Sequence, residues 1–191
     1  MPAPPPFDPR TQRRVLAECL SEAGWTQGVF HVPASQAFAD YLQFTGAFLP
    51  LTDALLPHAQ APLPFFALHT AALRLVAPAS TEGLVETPGS RGITSPWSVS
   101  CLLAAGVLHG SIDFLTNQRL SDFLKAARGF LVVRNAVWQP FGAPDSAARE
   151  FPTALVNIAL LAGIADAPVQ RGHGHPGRLD YSEIPEAAAP G

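Results

Sequence analysis

The stretch QAFADYLQFTGAFLPLTDA, residues 36–54, returns in altered form as QRLSDFLKAARGFLVVRNA, residues 118–136. A shift of 82 residues aligns segment 13–54 on segment 95–136 without a gap, and 11 of the 42 aligned pairs are identical. An internal repeat has to be recognised before a fold is proposed, because two copies of one unit should adopt the same structure.

The first segment of each copy is predicted to be a β-strand. Read alone, residues 13–22 also allow a helix, and this alternative stays open for the first copy. The counterpart in the second copy alternates Trp97, Val99 and Cys101 with two serines, and a period of two is typical of a strand. Since both copies should fold alike, we interpret both segments as strands.

The remainder of each copy is predicted to be a strand, a short helix, a third strand and a fourth extended segment. Ser35 and Asn117 precede the helices and are favourable N-cap residues. In the fourth segment, ALHTAAL (67–73) is aligned on ALVNIAL (154–160), with a longer loop in the second copy. The predicted ranges are 28–33 and 110–115 for the second strand, 36–43 and 118–125 for the helix, 47–53 and 129–135 for the third strand, and 65–76 and 151–162 for the fourth segment.

These elements predict an α+β, mainly β, chain made of two tandem β-β-α-β-β repeats. A unit of this size buries only about 60% of the surface that its unfolded chain exposes. We therefore expect the two units to pack as a pseudo-twofold pair with a shared core. The predicted organisation is a Pro-rich N-terminal tail over 1–12, repeat unit 1 over 13–77, a linker over 78–94, repeat unit 2 over 95–166 and a flexible C-terminal tail over 167–191.

One part of the second copy carries a resemblance. Residues 110–136 contain a glycine, then an Arg-apolar-Ser-Asp-apolar-Leu helix, then a Phe-Leu strand followed by Asp or Asn and Ala. This pattern resembles a family of small β-rich bacterial proteins of unknown function. The first copy departs from the pattern at Ala37 and Ala39. The resemblance implies a small β-rich module and implies no activity.

Composition narrows the classes of function. The net charge of −3 gives no support for nucleic-acid binding by the chain as a whole. Charged residues are 14% of the chain, against about 25% in ordinary soluble domains. Hydrophobic residues reach 48%, and apolar surface beyond what a small core can hide is expected to contact a partner. Neither a secretory signal nor a membrane-spanning segment is recognised, so we expect a cytoplasmic location, with the inner face of the membrane as a further setting.

The sequence offers no catalytic constellation, and we predict no catalytic, cofactor-binding or metal-binding residue. Asp40 and Asp122 lack a paired titratable group nearby, so we interpret them as structural residues whose carboxylates accept backbone N–H groups of the following turns. The two cysteines, Cys19 and Cys101, are expected to pack in the core. His173 and His175 are too few to hold a metal.

Two sets of residues are predicted to bind a partner. The first set is apolar and follows the third strand of each copy: Leu55, Leu56, Phe65, Val137, Trp138 and Phe141. The alternative for these residues is that they close the ends of the core. The second set is a basic patch found only in the second copy: Arg119, Lys125, Arg128 and Arg134. Its partner would be an acidic protein or an anionic membrane surface, and its alternative is an ordinary solvated face.

We therefore predict a non-catalytic interaction or scaffold subunit of a larger bacterial assembly, with a protein as its partner. One setting is a peripheral position on the cytoplasmic side of a membrane complex, such as a light-harvesting or transport complex. The second hypothesis is a small-ligand-binding or regulatory module with the ligand between the repeats, and an enzyme ranks third.

Overall fold

The computed structural model describes residues 11–84, 94–115 and 119–166. These residues form one antiparallel sheet of ten strands with two short α-helices, which confirms the mainly β fold class. The strands are β1 (Gln12–Ser21), β2 (Gly24–Pro33), β3 (Phe48–Leu55), β4 (Phe66–His69), β5 (Leu75–Pro78), β6 (Thr94–Leu103), β7 (Gly106–Leu115), β8 (Phe130–Pro140), β9 (Arg149–Asn157) and β10 (Leu161–Asp166). The helices are α1 (Phe38–Phe44) and α2 (Leu120–Ala126). Short 3-10 turns cover Thr70–Ala72, Asp145–Ala147 and Ile158–Leu160.

The predicted tails and linker fall mostly outside the described residues, as do Asn117, His173 and His175. Within the described part, β1 and β6 are strands throughout, so the strand interpretation of residues 13–22 is confirmed and the helix is wrong. Each pairs with the following strand across a two-residue turn, since Ser21 lies opposite Gly24 and Leu103 opposite Gly106.

The fourth extended segment was predicted as one piece, and this is wrong in both halves. A 3-10 turn interrupts it, so that β4 and β5 are separate strands, as are β9 and β10. The break follows from local side-chain chemistry. His69 Nδ1 accepts a hydrogen bond from the Ala71 amide, and Asn157 Oδ1 accepts one from the Ala159 amide. Such bonds offer the backbone an alternative to the strand ladder.

Both helices begin two residues later than the sequence predicts. The N-cap positions are Ala37 and Arg119, and neither side chain makes a capping hydrogen bond, so Ser35 is not the cap of α1. The first amides of α1, those of Phe38 and Ala39, instead donate to backbone carbonyls of residues 83 and 84 at 3.0 Å. Carbonyls from a distant segment of the chain therefore accept the hydrogen bonds of the first helical turn, in place of the side chain of a neighbouring residue.

The strands pair in the same sequence in the two halves of the chain. The sheet order is β10-β6-β7-β8-β9-β5-β1-β2-β3-β4, so each half contributes five adjacent strands. Cys19 lies opposite Val76 in the first half, as Cys101 lies opposite Ile164 in the second. His69 lies opposite Phe48, as Asn157 lies opposite Phe130. These registers make Asn157 the structural equivalent of His69. The sequence alignment of segment 67–73 on segment 154–160 pairs His69 with Val156 and is therefore shifted by one residue relative to the structure.

The halves meet where β5 pairs with β9, and this joint differs from the predicted pseudo-twofold pair with a single shared core. A twofold pair would bring equivalent edges together, whereas β5 and β9 occupy different places in their halves. Buried side chains form two clusters, one mainly from each half. Along β5, Val76 belongs to the first cluster and its neighbours Leu75 and Ala77 to the second. Successive side chains of a strand point to opposite faces, so the two cores lie on opposite faces of the sheet at this joint.

A β-bulge occurs at matching places in β3 and β8. The register shifts by one residue opposite Gly28 and again opposite Gly110. The bulged residues Asp53 and Asn135 have positive φ angles of 52° and 48°, which Asp and Asn tolerate better than other side chains. The Asp/Asn-Ala pair that marked the end of the third strand in the sequence therefore marks a bulge, and the strand continues beyond it.

Candidate interaction surface

Large apolar side chains are exposed at the end of α1 and along the hairpin formed by β3 and β4, at one edge of the sheet. The described residues include ten large hydrophobic side chains that are exposed, and five of them fall between residues 44 and 65. We call these five the edge patch: Phe44, Phe48, Leu55, Leu63 and Phe65. Phe44 and Phe65 are more than 60% exposed, which leaves most of each ring in contact with solvent.

The backbone that carries the edge patch is hydrogen-bonded across the loop between β3 and β4. The Ala54 and Leu63 amides and carbonyls exchange two hydrogen bonds of 2.8 Å, which close the loop between the two strands. The Phe48 ring meets the His69 ring edge to face, with centroids 4.9 Å apart. On the opposite face of β3, Leu49 and Leu51 are fully buried. The alternation of the strand therefore directs Phe48 outward while it directs these leucines into the core.

The apolar residues predicted to bind a partner divide between surface and core. Leu55, Phe65 and Phe141 are exposed, and Leu56 and Val137 are half-buried. The prediction is wrong for Trp138, which is only 2% exposed and packs in the second core cluster. The cause is the length of β8, which runs on to Pro140 and places Trp138 inside the sheet rather than in a loop.

The predicted basic patch is exposed, but its charges are largely occupied within the molecule. Arg134 forms a 2.7 Å ion pair with Asp113, and Lys125 lies 3.5 Å from the Asp122 carboxylate. Arg128 donates to the carbonyls of the last turn of α2, at residues 125 and 127. Exposed ion pairs of this kind contribute little energy, yet they lower the positive field that would attract an acidic partner.

Asp40 and Asp122 do not hold the turns that follow the helices. Both lie in the first helical turn, where a negative charge is favoured by the helix dipole. No hydrogen bond from a described residue reaches the Asp40 carboxylate, and Asp122 pairs with Lys125. At the end of α1 the Thr45 hydroxyl donates to the Tyr41 carbonyl instead. The acids therefore favour helix formation rather than fix the helix-to-strand turn.

Two grooves are lined by described residues, and neither lies at the joint between the halves, where a ligand was predicted. The first, of about 690 Å³, lies beside Arg13, whose guanidinium donates to the carbonyls of Gln36, Glu82 and Gly83. The second, of about 580 Å³, lies beneath α2 and is lined by Phe123, Arg128 and other residues. The arginines that line both grooves already have partners within the molecule: Arg13 and Arg128 donate to backbone carbonyls, and Arg134 pairs with Asp113.

The titratable groups with a shifted pKa owe the shift mainly to burial. Cys19 and Cys101 are buried, and this burial raises the pKa of both thiols, that of Cys101 to about 12. Partial desolvation lowers the pKa of His109, whose Nδ1 lies 2.9 Å from Ser100 Oγ. Among residues 11–84, 94–115 and 119–166, His, Cys, Asp and Glu side chains do not gather in the groups of three that hold a metal ion.

Comparison with known proteins adds no relative. No family model, no curated protein and no solved structure matches the chain. Both helices in the described part of the chain have seven residues, and neither is long and apolar enough to cross a membrane. The geometry of the surface is therefore the basis for a functional proposal.

Sequence reasoning missed three members of the edge patch, Phe44, Phe48 and Leu63. A signal for Phe48 was present, because it alternates with Leu49 and Leu51 along the strand and must point the other way. For Leu63 the sequence gives no such signal, since it lies in a proline-rich loop whose path depends on the contact with Ala54.

Proposed function

We propose that this chain is a non-catalytic interaction subunit that contributes its edge patch to a larger bacterial assembly. The carrying observation is that five of the ten exposed large apolar side chains in the described residues lie on the β3–β4 hairpin and at the end of α1 that precedes it. Scattered exposed apolar side chains are ordinary, but a concentration of them is typical of a contact site.

The partner that fits this surface is a protein with an apolar site. Between Ala47 and Ala77 the chain has only two charged residues, Asp53 and Arg74. Both are already paired, Asp53 with Arg14 at 3.1 Å and Arg74 with Glu22 at 2.9 Å. The centres of protein–protein interfaces are similarly poor in charge and rich in aromatic residues.

The rigid body behind the surface is, in this proposal, a tandem β-β-α-β-β repeat. Support comes from the shared strand order and from the two bulges at matching positions. The halves are fused through β5 and β9 into one sheet, and their buried strands hold the outer hairpin in a fixed orientation. A scaffold subunit needs such a body, because a fixed surface loses less entropy when it binds.

Site-specific photo-crosslinking in the native host tests the proposal. A photoreactive side chain replaces Phe65 in the edge patch, and the matched control replaces Ala104, which is exposed in the turn between β6 and β7. The expected result is a specific protein adduct from position 65 and none from position 104. Phe65→Ser should then weaken co-purification of that protein. Equal labelling from both positions, or adducts with lipid only, would overturn the proposal.

A second candidate, small-ligand binding, has the groove beneath α2 in its favour. Its volume of about 580 Å³ lies within the range of about 300–1,000 Å³ typical of ligand sites. Arg128 and Arg134 line this groove, and a carboxylate or phosphate would compete with backbone carbonyls for Arg128 and with Asp113 for Arg134. A thermal shift with small phosphates and carboxylates, lost in Arg128→Gln, would favour this function, and the absence of any shift would exclude these ligands.

A further inference from the structure

The joint between the two halves is a strand contact with specific features. Leu75 lies opposite Val156 and Val76 opposite Leu155. The Asn157 amide donates to the Arg74 carbonyl at 3.0 Å, and the Asn157 side chain donates to the buried Leu73 carbonyl at 3.0 Å. Both β5 and the end of β9 are buried on both faces.

The two edge strands of the sheet, β4 and β10, occupy the positions that β9 and β5 occupy at the joint. Among the described residues, neither edge strand has a second neighbouring strand. By register, β4 occupies in the first half the place that β9 occupies in the second, and β10 occupies the place of β5. One edge of the sheet is therefore a β9-like strand, and the other is a β5-like strand. These two edges are complementary in the way that β9 and β5 are.

We propose that a second copy of this chain pairs its β4 antiparallel to β10, so that copies associate head to tail. The inference rests on the tandem repeat in the proposed function, and it names one partner for the sheet edges. In this contact Ala67 lies opposite Ile164 and Leu68 opposite Gly163. The His69 amide then donates to the Ala162 carbonyl, as the Asn157 amide donates at the internal joint.

Apolar side chains on β4 and on the neighbouring strand β3 are exposed, whereas the side chains at the equivalent positions of β9 and β8 are buried or partly buried. In the second half, Phe130 and Val132 pack against the first core cluster, and Leu155 is fully buried in it. The residues at the corresponding places in the first half are all exposed: Phe48, Pro50 and Ala67. The first set is covered by α1 and β5, whereas Phe48, Pro50 and Ala67 remain exposed even though the Phe48 ring contacts the His69 ring.

Side chains near the β10 edge are more exposed than the equivalent side chains at the joint between the halves. Leu20 is 5% exposed at the joint, whereas Leu102 at the corresponding place on β6 is 42% exposed. Three residues of α1 are buried, whereas none of the seven residues of α2 is. A second copy docked here would place its Phe48 and Ala67 on the face that carries α2, and the other face of its β4 beside Leu102.

The contact between copies is weaker than the internal joint. Across the joint, Arg149 pairs with Glu18 at 2.7 Å and its guanidinium lies over the Trp25 ring at 4.5 Å. Pairing between copies has no counterpart for these charges, since Ser100 occupies the place of Glu18. The joining surfaces differ, so the association is heterologous and adds copies until it closes into a ring or stops at a capped edge.

Disulfide trapping with the full chain tests this geometry. Ala67→Cys and Ile164→Cys are prepared as separate proteins, because paired strand positions fall within the range of Cα distances that disulfides span. The native cysteines are buried and do not compete. The expected result is a disulfide-linked dimer that forms fastest in the mixture of the two proteins. Equal or faster dimer formation by either protein alone would overturn the head-to-tail arrangement.

Sedimentation of the full chain over a wide concentration range supplies a second measurement. Ala67→Pro removes an amide that points away from β3, so it blocks edge pairing while it leaves the hairpin bonds in place. The expected result is mass that rises with concentration in the wild type and in the exposed-turn control Ala104→Lys, but not in Ala67→Pro. A wild type that stays monomeric would overturn the inference. A photo-adduct between position 65 and a protein other than this chain would in that case leave the proposed function standing, since it would identify a partner that is not a second copy.

Discussion

Replacement of Asn157 by alanine should measure how strongly the two halves are held together. Asn157 makes three bonds at the joint, and Asn157→Ala removes the two that use its side chain. The Leu73 carbonyl is then left buried without its donor, and the turn after β9 loses its cap. An unsatisfied buried group costs about 1–3 kcal/mol and a lost cap about 1 kcal/mol, so the free energy of unfolding should fall by about 2–4 kcal/mol.

His69→Ala is the matched control, because His69 caps the corresponding turn after β4 on an exposed edge. It removes the bond from the Ala71 amide and the exposed ring contact with Phe48, and the expected loss is about 1–2 kcal/mol. Urea unfolding followed by tryptophan fluorescence, at low protein concentration so that contacts between copies do not contribute, measures both variants. A loss in Asn157→Ala no larger than that in His69→Ala would refute the reasoning that this joint is a buried, bond-dependent contact.

Three further predictions concern the backbone, the thiols and pH. Gly110→Ala should lower the melting temperature more than Gly28→Ala. The methyl group added at Gly110 would lie 2.7 Å from the backbone oxygen of Arg134, whereas the methyl group added at Gly28 would meet the end of the Leu51 side chain, which can change its position more easily than backbone. Cys19 and Cys101 should stay unmodified by a thiol reagent at pH 8 in the folded chain and react fully in urea, since burial raises both pKa values; rapid reaction of either in the folded state would contradict its placement. The pKa of His109 is lowered on folding, so the unfolded chain binds more protons than the folded chain. The free energy of unfolding should therefore fall as the pH drops from 6.5, the usual pKa of histidine, toward the pKa of His109 in the folded state. His109→Gln should reduce this dependence of stability on pH in denaturation curves, and an unchanged dependence would exclude His109 as the cause.

The sequence was sufficient for the elements whose signals are local. Alternation identified β6, and the comparison of the copies then assigned β1 correctly against a helix-like pattern. Both helices were found because their apolar residues recur at helical spacing. The Asp/Asn-Ala pair was noticed as a recurring feature, although its role as a bulge depends on pairing with a glycine in the neighbouring strand.

The errors came where a distant contact decides the local structure. The caps of α1 are carbonyls of residues 83 and 84, which no rule about neighbouring side chains would select. The sequence predicts that the third strand of the second copy ends at residue 135, which puts Trp138 in a loop. In the structure β8 continues to Pro140, because it stays paired with β7 and β9 beyond the bulge. The two cores on opposite faces follow from the order of strands in the sheet, and that order is set by the β5–β9 joint.

The joint also has a consequence for the order in which the protein is made. The N-terminal half leaves the ribosome first, and its strand β5 has four residues, Leu75 to Pro78, that are all buried in the finished sheet. Until β9 has been synthesised, β5 can pair with β1 on one side only, and its other edge is open. Open apolar edges are where unfinished chains exchange strands or aggregate. Slow translation between the halves should therefore favour swapped pairs of nascent chains, and rapid completion of the second half protects the first.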